Sequence, residues 1–177
     1  MNHKRTTLIP LAAAALLLTG CTNASTNDPK PATAPTAAPA APPAKGKATD
    51  AAGAFMAVSS AVATAKLGGT VTAENDPNHL LGRPGQYTSK ITFTDSRINA
   101  NDVDGLDPDD VQRGGSVEAF DTPTAAKARA DYIQAASKTI PALAEYDYVH
   151  GPTLIRVSHY LTPAQAAEYE KAAGKLP

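Results

Sequence analysis

The densest run of residue types that could do chemistry is Asp76-Pro77-Asn78-His79-Leu80-Leu81-Gly82-Arg83-Pro84-Gly85-Gln86-Tyr87. Two turn signals, Asp-Pro-Asn and Gly-Arg-Pro-Gly, frame an imidazole, a guanidinium and a phenol. As a binding loop, this run would use Arg83 to clamp a carboxylate or phosphate through paired N–H donors, with Tyr87 supplying a ring. His79, Arg83 and Tyr87 are its candidate ligand contacts. The same residues also fit a structural turn, with Arg83 paired to a nearby aspartate and Tyr87 packed inside.

Other candidate chemistry is sparser. Asp102, Asp104, Asp107, Asp109 and Asp110 form an acidic cluster that could attract a hard cation. The calcium-loop template fails there: with Gly105 at the glycine position, the first ligand position is Ala100 and the closing glutamate position is Val111. A solvated acidic loop is the simpler reading. His79, His150 and His159 stand singly, without the spacing of a zinc site. Ser158 and His159 are neighbours in sequence, which is not a catalytic pairing. There is no Gly-x-Ser-x-Gly elbow, no Ser-x-x-Lys motif, and no Gly-Lys-Ser/Thr after Gly82 and Gly85. No metal or cofactor is called for. An enzyme would have to assemble its site from distant residues, with His79, Arg83 and Asp95 the first candidates.

Cys21 is the sole cysteine. It closes Leu18-Thr19-Gly20-Cys21, after a basic start at Lys4 and Arg5 and an apolar stretch from Leu8 to Leu18. That stretch is shorter than the roughly 20 apolar residues of a membrane span. The run resembles the lipobox of bacterial lipoproteins. The resemblance implies a signal peptide over residues 1–20, cleavage before Cys21 and a lipid on its sulfur, with at least two acyl chains on this cysteine. Two or more acyl chains anchor stably where one does not. Lipidation also accounts for a lone thiol in an exported chain, where cysteines usually come in pairs. The 76–87 run, with the stretch to Asp95 and the Gly114–Phe120 segment, resembles small exported lipoproteins of high-GC Gram-positive bacteria. That likeness implies a location at the extracytoplasmic face of the cell membrane and carries no activity.

Residues 21–48 are mostly Ala, Pro, Thr, Ser and Asn, a composition expected to stay extended as a tether. From Thr49 onward there are 16 acidic and 11 basic side chains, a net of −5. This balance argues against a nucleic-acid partner, because phosphate binding needs clustered Lys and Arg. The expected partners are the membrane, through Cys21, and a cell-envelope protein or cell-wall ligand.

Residues 49–177 are enough for one domain with its own core. Thr49 or Asp50 caps a first helix carrying Phe55, Val58 and Val62 on one face, with Met56 off it and Gly68-Gly69 as its stop. A short strand is expected over 69–74. A clearer one covers 86–95, with Tyr87, Ile91 and Phe93 on the buried face and Thr88, Lys90, Thr92 and Thr94 on a wet one. Further strands are expected at 115–120, 145–150 and 153–158, the last two as a hairpin around Gly151-Pro152. A helix capped by Asp121 or Thr122 ends before Pro141, and Thr162 with Gln165 forms a capping box. Tyr146 and Tyr148 share a face of the hairpin: buried, they replace missing large core residues; exposed, with Tyr160, they make a partner patch. The expected class is α+β, a mostly antiparallel sheet of four or five strands with helices on one face. A binding or interaction module is the leading functional reading. A cell-envelope hydrolase or a structural envelope protein is the alternative.

Overall fold

A computed structural model describes residues 50–177. The lipobox, Cys21 and the Ala/Pro-rich tether lie outside the described residues.

Asp50 opens the first helix by accepting the Gly53 N–H at 2.7 Å, which satisfies one of the orphan donors of the first turn. Helix α1 (Ala51–Ala61) buries Ala51, Ala54, Phe55 and Val58, and leaves Met56 exposed. Gly68-Gly69 does not stop it. Both glycines belong to strand β1 (Ala65–Thr70), whose register slips between Leu67 and Gly69. A side chain at Gly68 would place its Cβ 3.2 Å from the Thr92 carbonyl oxygen, and one at Gly69 2.8 Å from Asp109 Oδ1. Their role is close approach at a bulge. The strand expected over 69–74 is thus displaced toward the N-terminus.

Strands β2 (Ser89–Asp95), β3 (Gly114–Ala119), β4 (Glu145–His150) and β5 (Thr153–Ser158) complete a five-stranded sheet in the order β1-β2-β3-β5-β4. Every neighbouring pair is antiparallel. Thr122 caps helix α2 (Pro123–Thr139), with Pro123 in its first turn. Thr162 and Gln165 close the predicted capping box on helix α3 (Pro163–Ala173). The class is α+β, as the sequence predicts.

The helices divide two to one. Helices α1 and α3 cover the sheet face of Ile91, Phe93, Val117, Ile155 and Val157. There the Phe93 ring stacks between Phe55 and Tyr169, with centroids 5.5 and 5.4 Å away. Tyr146 and Tyr148 pack half-buried against the same core. Helix α2 crosses the opposite face, setting Ala126, Ala130 and Ile133 on Phe120, Leu154 and Tyr87.

Two expectations for β2 change accordingly. Regular pairing begins only at Ser89, so Tyr87 escapes the alternation and joins the α2 side, away from Ile91 and Phe93. The face expected to be wet is covered at its centre: Lys90 and Thr92 are buried and Thr94 half-buried, while Thr88 is exposed. Helix α2 and the 96–113 segment provide that cover, the latter through Asp109 on Thr92 Oγ1 (3.1 Å) and the Gln112 carbonyl on Ser158 Oγ (2.8 Å).

Candidate functional site

The 76–87 loop is organised around a carboxylate. Asp76 is buried and accepts the backbone N–H groups of Asn78 (3.1 Å), Leu80 (2.8 Å) and Leu81 (2.9 Å), together with the Tyr87 hydroxyl at 2.7 Å. His79 takes a left-handed backbone (φ 52) within this turn. Burial works to raise the Asp76 pKa, but the hydrogen bonds from Tyr87 and the three N–H groups outweigh it and hold the carboxylate below its ordinary range. Tyr87 is wholly buried, edge-on to Phe120 at 6.3 Å. Its ring is part of the core and is not presented to a ligand.

His79 and Arg83 do come together. Both are exposed and line a hollow of about 240 Å³ with Asp76 and Leu81. Tyr87→Phe should cost about 1.5–3 kcal/mol in urea unfolding, because it strips a charge-assisted bond from a buried carboxylate.

A larger groove of about 580 Å³ opens on the α2 side of the sheet. Its floor comes from strand positions pointing away from the main core. Lys90 and Glu118 are directly paired across β2 and β3, and Asp147 and Arg156 across β4 and β5. Glu118 is the hub. It is fully buried and carries Lys90 (3.1 Å) and Arg156 (3.1 Å) on Oε1, and Arg129 from α2 (3.2 Å) on Oε2. Arg156 also grips Glu145 through two bonds of 2.7 and 2.9 Å. Burial opposes ionisation of Glu118, but the charges of Lys90, Arg156 and Arg129 outweigh it and hold its pKa below the ordinary value. Burial also lowers the Lys90 pKa, against the pull of Glu118.

Apolar side chains make up much of the groove wall, beside Asn78, Asp110, Gln112 and Ser137. Tyr132, Ile133 and Ala136 line one side from α2, and Leu106, Val111 and Leu143 contribute elsewhere. Tyr132, Leu143 and Tyr160 are exposed at 68%, 49% and 42%, large apolar groups placed about a charged floor. The 76–87 loop reaches this groove through Asn78, and not through His79, Arg83 or Tyr87.

Asp147 lies beneath the network. Its Oδ2 accepts Gln134 Nε2 at 2.8 Å, while its buried Oδ1 has no partner among the described residues. Burial, and then the neighbouring Glu145 charge, push this carboxyl up to about 7. Between the unfolded value of 3.8 and about 7, the folded state holds a proton that the unfolded state has lost. Its contribution to stability therefore falls as pH rises through that window, and the penalty is complete above it. Asp147→Asn should raise the thermal midpoint more at about pH 8 than at about pH 5. An equal shift at both pH values would contradict this assignment.

The remaining candidates have structural duties. Asp110 caps the short turn at Val111–Arg113, and Asp109 bonds Thr92. Asp95 is buried and spent on the Tyr169 hydroxyl (2.6 Å), Arg97 (2.7 Å) and Thr64 (3.1 Å). It closes β2 at the end opposite the 76–87 loop, so His79, Arg83 and Asp95 do not form one constellation. His159 Nδ1 lies 3.0 Å from the Ala144 carbonyl oxygen.

The sequence does not single out the groove residues. Lys90 falls on the face expected to be wet, and Glu118, Arg129, Glu145 and Arg156 carry no motif. The strand charges share the non-core parity, with β4 contributing both Glu145 and Asp147 and α2 adding Arg129, a pattern that gains meaning only once strand order is known. Searches against family models, curated proteins and solved structures gave no match to this chain.

Proposed function

We propose that this chain is an exported lipoprotein, anchored through lipid on Cys21 at the extracytoplasmic face of the membrane, whose domain is a non-enzymatic binding module. The Leu18-Thr19-Gly20-Cys21 run and the tether composition support the anchoring. The observation that carries the binding reading is the groove itself. Its volume falls within the roughly 300–1,000 Å³ of small-molecule sites, and it joins apolar side chains to a few fixed charged groups. The ionised carboxylates of its floor are engaged by cations, which suits holding a ligand better than moving protons. A binding module is favoured over a hydrolase because, of the enzymatic candidates, Asp95 lies away from His79 and Arg83 and is engaged by Tyr169 and Arg97.

Cys21→Ser should abolish incorporation of labelled palmitate and move the protein out of the membrane fraction. Two acyl chains are what hold a lipoprotein there stably. Retention of the variant on membranes would contradict the anchor.

A further inference from the structure

We propose that the groove binds a small organic monoanion, its carboxylate seated against Lys90 and Arg129 and its apolar body lying along Tyr132, Ile133 and Leu143. The assignment rests on the groove being the binding site of the proposed module, and it names the class of ligand.

Two cations of the groove floor are only partly paired. An ammonium has three N–H donors and a guanidinium five. Lys90 is 5% exposed and lines the groove, yet Glu118 is its one ion-pair partner among the described residues. Arg129 uses Nε on Glu118, and its two terminal nitrogens have no partner among those residues, although its side chain is 9% exposed. Both cations touch opposite oxygens of one carboxylate, so their free donors are held close together. Arg156, by contrast, is satisfied by Glu118 and Glu145.

The ion pairs leave a gap at Arg129. Lys90, Arg129 and Arg156 all meet Glu118, and Arg156 alone of them also meets Glu145 among the described residues. Asp110 lines the groove as well, where its Oδ1 caps the turn through the Gln112 N–H, so the lining as a whole carries carboxylates to match its cations. What favours a monoanion is local: the unpartnered terminal nitrogens of Arg129 beside Lys90. A dianion would meet Glu118, Glu145 and Asp110 at close range, and a cation would meet Lys90 and Arg129.

The body of the ligand follows from the walls. Tyr132 stands beside Arg129, with the guanidinium carbon 5.9 Å from its ring centroid, so the aromatic face continues directly from the cationic floor. An alkyl or aryl chain leaving the carboxylate would meet Tyr132, Ile133 and Leu143.

Calorimetric titration of the purified full chain with octanoate and phenylbutyrate, each against its uncharged primary amide, tests this assignment. The acids should bind at least about tenfold more tightly than the amides, the usual worth of a charge-assisted hydrogen bond. Arg129→Gln, which keeps the helix and leaves Glu118 its other two cations, should remove that preference. Arg83→Gln should leave it intact. Circular dichroism would verify that Arg129→Gln is folded. Equal binding of acids and amides, or undiminished preference in Arg129→Gln, would overturn the monoanion while leaving the groove a binding site. No binding of either series at millimolar concentration would overturn both.

Discussion

Glu118→Gln should lower the free energy of unfolding by about 3–5 kcal/mol, the cost of breaking a buried ion pair by removing one partner. The substitution keeps the size and planarity of the side chain and removes only its charge. Lys90, Arg129 and Arg156 all converge on this carboxylate, and among the described residues only Arg156 of the three has a second carboxylate to fall back on. Lys90 would be left almost fully buried beside a neutral amide. Urea unfolding near neutral pH measures the loss. A Glu118→Leu, Lys90→Met double variant should recover much of it, because removing both charges avoids the unpaired ammonium. The hub also has a pH signature. Its carboxylate titrates lower in the fold than in the unfolded chain, so its contribution is present above the unfolded value of 4.5 and is lost as pH falls through the folded one. Asp76 and Asp95, also held low, act in the same direction. A loss under about 1 kcal/mol in Glu118→Gln would mean that the cations are solvated and not dependent on this group.

Gly115→Ala should be a severely damaging single-methyl addition, at about 3 kcal/mol, the upper part of the overpacking range. Gly115 lies in the centre of the sheet, opposite Phe93 on one side and Val157 on the other. A Cβ there would collide with the Arg156 carbonyl oxygen and with the Phe93 ring. Neither can retreat cheaply. The carbonyl belongs to the neighbouring strand, and Phe93 is already stacked between Phe55 and Tyr169. Displacement of β5 would also disturb Arg156 and the groove floor. Loop positions provide the contrast: Gly82 and Gly105 have positive φ but nothing near the site of a Cβ, so alanine there costs only the backbone preference, about 1 kcal/mol. Thermal unfolding of Gly115→Ala beside Gly105→Ala separates steric crowding from backbone conformation. Similar losses in the two would contradict the close-packing explanation.

These two residues also mark what the sequence can and cannot convey. Local chemistry was legible: Asp50, Thr122 and the Thr162–Gln165 pair start the helices, and Pro123 and Pro163 sit in first turns. The hairpin around Gly151-Pro152 and the alternation of Ile91 with Phe93 were legible too. Features created by strand neighbours were not. Gly68-Gly69 has the composition of a helix stop, yet it serves a bulge against Thr92 and Asp109. Tyr87 matched the parity of Ile91, but the chain becomes regular only after it, and the buried Asp76 draws its hydroxyl elsewhere. Lys90 alone looked like a solvent-facing lysine. Its meaning depends on Glu118 lying directly across the ladder and on α2 closing over both. The 76–87 run stands out by its residue types, but its carboxylate is used inward, and only Asn78 reaches the larger groove.

The central claim is that the charged face of the sheet, covered by α2, is where this domain meets its ligand. Backbone and side-chain chemical shifts of the isotope-labelled full chain, followed during titration with octanoate, test it most directly. The account predicts changes concentrated at Lys90, Arg129, Tyr132, Ile133 and Leu143, with His79 and Arg83 unmoved. Changes centred on His79 and Arg83, or on the face covered by α1 and α3, would contradict it.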